Sequence, residues 1–224
     1  MGKMSEQTPE VRIYTLGEEI ANAVTHGIGA VISIAALVLL VIRAAANAPA
    51  GQAGVWITGM ALYGASLIVL YLASTVYHAV PASVPDLKRF LAVIDHMAIY
   101  LLIAGTYTAL CLSFFYGPLG WTLVAIEWFL ACLGGVLYSL YQQRVRKITF
   151  TLYLIMGWLG VFAIGPICER LSTLSMVLLS AGGVAYTLGC IFYAMKRTPW
   201  MHPVWHLFVL AGSVLQFFAI YVEI

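Results

Sequence analysis

The sequence predicts an all-α integral membrane protein: a seven-transmembrane-helix bundle with its N-terminus in the cytoplasm and its C-terminus outside. Three observations carry that prediction. Of 224 residues, 62% are hydrophobic and 9% charged, against about 45–50% and about 25% in a soluble domain, and the mean hydropathy is +0.96. No water-soluble fold hides so much apolar surface, so the solvent must be lipid. Seven apolar runs reach the length, about 20 residues, that a helix needs to cross the hydrocarbon core. Lys and Arg, finally, gather in alternate connections, which marks the cytoplasmic side.

Residues 1–22 are polar and read as a cytoplasmic N-terminal segment. Within it, Thr15-Leu16-Gly17-Glu18 is a capping-box start, followed by Glu19, Ile20 and Asn22, and predicts a short amphipathic helix lying on the inner surface. No small-residue cleavage site follows the first apolar run, which argues against a cleaved signal peptide. The transmembrane domain then occupies 23–224, with spans at 23–42, 54–77, 90–113, 118–140, 148–167, 171–195 and 203–222. Strands do not fit, because alternation is absent and the runs are twice the length of a barrel strand. Short loops join the spans: Asn47-Ala48-Pro49-Ala50-Gly51 after the first, Tyr116-Gly117-Pro118 after the third and Thr198-Pro199 before the seventh. Pro166, after Gly165, is expected to end or kink span five. Gly59, Gly64, Gly134, Gly135, Gly157, Gly160, Gly182 and Gly183 are expected to let helices approach closely. The cysteines Cys111, Cys132, Cys168 and Cys190 make no C-x-x-C pair and read as packing residues.

Orientation follows from the basic residues. Lys3, Arg12, Lys88, Arg89, Arg144, Arg146, Lys147, Lys196 and Arg197 lie on the N-terminal side, and only Arg43 and Arg170 on the other. Nine against two places the N-terminal side in the cytoplasm. An odd number of spans then puts Ile224 outside, opposite to the usual orientation of G-protein-coupled receptors. The net charge of +2 is too small to suggest a nucleic-acid partner.

Ionisable groups inside spans are costly and become functional candidates by default. His78 ends span two, Asp95 and His96 sit in the first two turns of span three, and His202 and His206 open span seven. Span two ends on the side where spans three and seven begin, so His78, Asp95, His202 and His206 share one leaflet. His202 and His206 are four apart and therefore on one helix face. Pro203 stands in the first turn, where its missing N–H costs little. Ser74 is one turn from His78 and faces the same way. Two readings are open on this spacing. The histidines are interfacial residues bonded to headgroups or backbone, or they are three neutral nitrogen donors for a catalytic zinc that leaves its fourth position to water. Asp95 would then orient or deprotonate that water, with Ser74 as a supporting hydrogen-bond partner.

The remaining polar residues read more plainly. His96 points about 100° away from Asp95 around the helix and is expected to pack or hydrogen-bond. His26 is expected to make a structural hydrogen bond. Glu127 is either an outer-interface residue or a member of a proton or substrate path.

These residues resemble those of the bacterial hemolysin III family, within the progestin and adipoQ receptor superfamily, over nearly the whole chain. The resemblance rests on Glu18-Glu19-Ile20-Ala21-Asn22 with Thr25-His26-Gly27, on Leu72-Ala73-Ser74-Thr75-Val76-Tyr77-His78, on Asp95-His96 with Ala98-Ile99-Tyr100-Leu101-Leu102-Ile103-Ala104-Gly105-Thr106-Tyr107-Thr108, and on His202 and His206. It implies a Zn2+ site near the cytoplasmic face with His78, His202 and His206 as ligands, Asp95 on the metal-bound water and Ser74 beside it. It also implies residence in the bacterial cytoplasmic (inner) membrane. Adiponectin receptors in the superfamily are associated with hydrolysis of ceramide-type lipid amides, and bacterial relatives with membrane energetics and lipid homeostasis. The long N-terminal region of the animal receptors is missing here, so adiponectin binding does not transfer. The expected function is zinc-dependent hydrolysis of a lipid amide or ester, with a membrane lipid as substrate or ligand and no protein partner identified. The alternatives are a pore-forming cytolysin or ion pathway, for which Glu127 and Gln216 are the slender support, and a lipid-state sensor with a structural zinc.

Overall fold

The computed structural model describes residues 14–195 and 197–224; Lys3, Arg12 and Lys196 lie outside the described residues. Helices α1 (Leu16–Asn47), α2 (Ala53–Ala79), α3 (Pro85–Phe114) and α4 (Pro118–Tyr141) come first in the chain. They are followed by α5 (Arg146–Trp158), α6 (Ile164–Arg170), α7 (Thr173–Ala194) and α8 (Met201–Tyr221). Residues α5 through α6 make one membrane-length unit, so seven helical segments are long and apolar enough to cross a membrane. The described residues contain no strand.

The capping box forms as expected: the Thr15 N–H donates to Glu18 Oε2 at 3.0 Å, and the Glu18 N–H donates to Thr15 Oγ1 at 3.3 Å. The helix it opens is nevertheless α1 itself, which runs unbroken from Leu16 to Asn47. A separate surface helix ending before residue 23 is therefore corrected. The polar residues that suggested headgroup exposure, Glu18 and Asn22, are buried, and the Glu18 carboxylate is met by the Trp200 N–H and Thr15. Span five breaks where proline requires it. Pro166 has no N–H and crowds the carbonyl four residues back, at Phe162, and the chain tightens into a 3-10 turn over Leu159–Ala163 before α6.

Neighbours in sequence pack as neighbours in space, α1 on α2, α2 on α3, α3 on α4 and α7 on α8, while α1 against α8 closes the ring. Contact between α5 and α7 is sparse. The central helix is α3, the most buried of the seven segments. Tyr71 donates to Ser213 Oγ at 2.7 Å, and the hydroxyl of Tyr186 meets the same atom at 2.7 Å, tying α2, α7 and α8 together. Large apolar side chains such as Val31, Ile34, Phe129, Phe162 and Leu174 stand exposed on the outside, where lipid rather than water is their favourable solvent.

Close approach depends on glycine where α1 meets α2. A Cβ at Gly64 would stand 2.8 Å from the Leu37 Cα, and backbone cannot yield as a side chain tip can. The same expectation fails at Gly157, where nothing lies within 4 Å of an added Cβ.

Candidate metal centre

The end of α2 and the start of α8 meet at one end of the bundle, and with them His78, His202 and His206. One possible ligand atom from each lies within 4.8 Å of the others. Ring centroids are 5.2 Å apart for His78–His202, 5.2 Å for His78–His206 and 4.6 Å for His202–His206. All three side chains are buried. Among the described residues, the Nε2 atoms of His78 and His206, and Ser74 Oγ one turn before His78, have no hydrogen-bond partner. A buried polar atom left unsatisfied costs about 1–3 kcal/mol, and native interiors rarely leave several at one point. Their convergence fits a partner that the polypeptide does not itself supply. Three imidazole nitrogens with room for a fourth ligand are the donor set of a catalytic zinc, so the residues present fit the group that the resemblance implies.

What turns these nitrogens inward comes from α1 and α3. His78 Nδ1 lies 2.6 Å from Glu19 Oε2, an arrangement that fixes the ring and leaves Nε2 for a metal. The other carboxylate oxygen of Glu19 accepts from Lys88 Nζ at 2.7 Å. Lys88 also donates to the carbonyl of Val80 at 2.8 Å and of Tyr77 at 3.3 Å, so the cation caps the negative end of α2. His206 Nδ1 is 3.3 Å from the Asn22 carbonyl and 3.3 Å from Thr25 Oγ1. Glu18 acts on the helix that carries the other two histidines: its Oε1 accepts the Trp200 N–H at 2.8 Å. Trp200 holds a left-handed φ of 65°, a conformation costing about 1–3 kcal/mol for a side-chain-bearing residue. The bond to Glu18 steadies that turn and so the start of α8.

Sequence reasoning did not assign these roles to Glu18, Glu19, Asn22, Thr25 or Lys88. A signal was present, since Glu18, Asn22, Thr25 and His26 recur at helical spacing and form one polar stripe entering an apolar run. The three expected ligands do come together. Asp95 is buried but outside the group of mutually close ligand atoms. It stands on the wall of a cavity that does not include the three histidines but reaches their neighbours His26, which stacks on His206, and Trp205. That cavity follows α3 from Asp95 to Tyr107 and α8 from Trp205 to Gln216, a length of about 17 Å at 1.5 Å per residue. Its wall is mostly aliphatic and aromatic, including Leu70, Ile99, Leu102 and Val209.

His26 also lies on that wall. Its ring stacks on His206 with centroids 3.5 Å apart and meets Tyr71 edge-on at 5.0 Å. The backbone of His206 is its hydrogen-bonding neighbour, in keeping with the structural bond expected for it, though neither ring nitrogen has a bond of full geometry among the described residues. His96 behaves as expected, with Nδ1 2.8 Å from the Ala92 carbonyl and its ring stacked on Tyr138 at 4.6 Å. Glu127 is fully buried in α4 and, among the described residues, is neither one of the clustered ligands nor on the wall of that cavity.

The fold and the site together define a multi-pass helical membrane protein with a buried three-histidine group that could hold a metal ion. A family model described as Haemolysin-III related matches residues 14–217, a stretch that includes Ser74, His78, Asp95, His202 and His206. Hemolysin-3 of Bacillus cereus is 44% identical over 219 residues, covering 97% of this chain and 94% of that protein. A Hemolysin-3 homolog of Bacillus subtilis (strain 168) is 44% identical over 209 residues, 93% of this chain and 95% of the relative. The human monocyte to macrophage differentiation factor is 27% identical over 164 residues, 71% of this chain and 68% of the human protein. The chain belongs to the haemolysin III family.

Proposed function

We propose that the protein is a zinc-dependent hydrolase of lipid amides or esters in the bacterial cytoplasmic membrane, with its metal end on the cytoplasmic side. The observation that carries this reading is the buried three-histidine group together with a long, largely apolar cavity whose wall includes His26, stacked on His206, and Asp95. An acyl chain suits such a wall, with its carbonyl towards Asp95 and His26, on the side of the histidine group. His78, His202 and His206 would hold the ion. When bound, zinc polarises a carbonyl and brings the pKa of a water ligand down to about 7.

The chain's own residues do the rest. Asp95 accepts a proton from the attacking water as its oxygen bonds to the acyl carbon, and passes that proton to the leaving nitrogen or oxygen as the acyl bond breaks. Ser74 Oγ, buried and without a partner, holds a polar atom of substrate or water. Glu19 and Lys88 keep His78 in place. The apolar wall excludes bulk water from the acyl chain.

Purified protein should release free fatty acid from members of a panel of long-chain amides and esters. Asp95→Asn should retain zinc and lose about 10²–10⁴-fold in rate, the usual worth of a positioned general base. A zinc-loaded wild type with no turnover on any member would mean that the metal only joins α2 to α8.

A further inference from the structure

We propose that Glu127 is a proton-binding site inside the membrane, a neutral carboxylic acid that releases its proton only when the break in span five opens and admits water. Glu127 stands near the middle of α4 and is fully buried. Among the described residues, neither of its carboxylate oxygens has a hydrogen-bond partner. Glu18 is buried too, but its carboxylate accepts the N–H groups of Trp200 and Thr15. An ionised carboxylate with no partner does not persist in an apolar interior, so Glu127 must hold a neutralising cation of its own.

That cation is a proton. Every Lys and Arg after residue 12 lies in a connection or close to a helix end, which leaves none for the middle of the bundle. A metal ion would need several free oxygen donors, and the α3 hydroxyls on this side are engaged. Thr108 Oγ1 accepts from Trp128 Nε1 at 3.0 Å and donates to the Ala104 carbonyl at 2.7 Å. The Tyr107 hydroxyl accepts the Gly160 N–H at 2.6 Å. Tyr107 and Cys111 are the titratable groups that face Glu127 from α3, and neither supplies a positive charge. Ala163 and Ile167 of span five pack into one cluster with Tyr107, Cys111 and Trp128 and bring no charge either.

Tyr107 joins this acid to the cavity. It stands on the cavity wall and faces Glu127, which is not on that wall. Its hydroxyl is fastened to Gly160 within the 3-10 turn Leu159–Ala163 that interrupts span five. Such a turn has poorer hydrogen-bond geometry than an α-helix and often marks a hinge. When the Tyr107–Gly160 bond opens, water from the cavity meets the carboxyl. The acid O–H bond then breaks, the proton leaves on the water, and it returns as the gap closes. Glu127 is not one of the clustered ligands, so the inference does not rest on the hydrolase reading.

Infrared spectroscopy of the purified protein at pH 7, in a detergent without carbonyl groups, reads the site. Exposed carboxyls are ionised at that pH, so the carbonyl band of a protonated carboxylic acid reports sequestered groups alone. Wild type should show such a band, moving slowly on transfer to deuterium oxide, and Glu127→Gln should lack it. Tyr107→Phe cannot hold the Gly160 N–H, and its band should exchange about tenfold faster, the weight of one buried hydrogen bond on a local opening. A wild-type spectrum without the band overturns the proposal, and this arm needs no variant to fold. So does a band that survives Glu127→Gln, which would belong to another acid. Exchange in Tyr107→Phe at the wild-type rate overturns the route through span five.

Discussion

A His202→Ala/His206→Ala variant purified in detergent should carry no stoichiometric zinc, whereas the wild type should carry one ion per chain. The expectation rests on donor count. Two of three imidazoles disappear from one face of α8, where they stand with ring centroids 4.6 Å apart, and His78 alone cannot hold a divalent ion against water. Full protein zinc sites bind with roughly 10–16 kcal/mol of apparent free energy, most of which is lost with the second and third ligands. Neither substitution opens the outer surface of the bundle, since both rings are buried at the α1–α2–α8 junction. Elemental analysis after gel filtration reads the result, and unchanged metal in the variant refutes the ligand assignment.

Glu19→Ala should damage both the metal site and the fold, through two different partners. Loss of the 2.6 Å contact to His78 Nδ1 frees the ring to rotate, and outer-shell losses of this kind lower metal affinity about 10–100-fold. Loss of the 2.7 Å contact to Lys88 leaves a cation that is 5% exposed without its counter-charge, which costs about 3–5 kcal/mol. The two effects separate in the double variant Glu19→Ala/Lys88→Met. Thermal unfolding should return towards the wild-type midpoint once the stranded charge is gone, while zinc affinity stays low. If the double variant recovered both, Glu19 would act on the site only by way of the fold.

Much of the fold was legible because a membrane simplifies the problem. Apolar runs of sufficient length mark helices whatever their neighbours do, and the seven segments stand where the runs stand. That the helix opened by the capping box runs unbroken into the first span was not legible, for a physical reason. Glu18, Glu19 and Asn22 look too polar for lipid, but polar groups inside a bundle are tolerated when partners from other helices satisfy them. The partner of Glu19 lies 59 residues away at His78, and that of Glu18 lies 182 residues away at Trp200, so no local pattern shows them. The break in span five was half visible. Pro166 announced it, and its effect falls on the preceding turn, Leu159–Ala163, because the clash is with a carbonyl four residues back.

The site divides the same way. Helical spacing put His202 and His206 on one face, and connectivity put His78 in the same leaflet; that the three meet at one point is what the structure adds. The stacking partner of His26 was not legible, because an isolated histidine gives no sign of which ring a neighbouring helix brings to it. The ring of His206, 180 residues further along the chain, supplies that contact. The cavity was invisible in the sequence, since its wall is built from ordinary apolar residues of α2, α3, α5, α7 and α8 that differ from lipid-facing ones only in where they point.

Zinc K-edge X-ray absorption on the purified wild type tests the convergence of His78, His202 and His206 most directly. The spectrum should show three imidazole nitrogens at about 2.0–2.1 Å and one further light ligand. A sulfur shell at about 2.3 Å, or six oxygens and no imidazole signature, would contradict it.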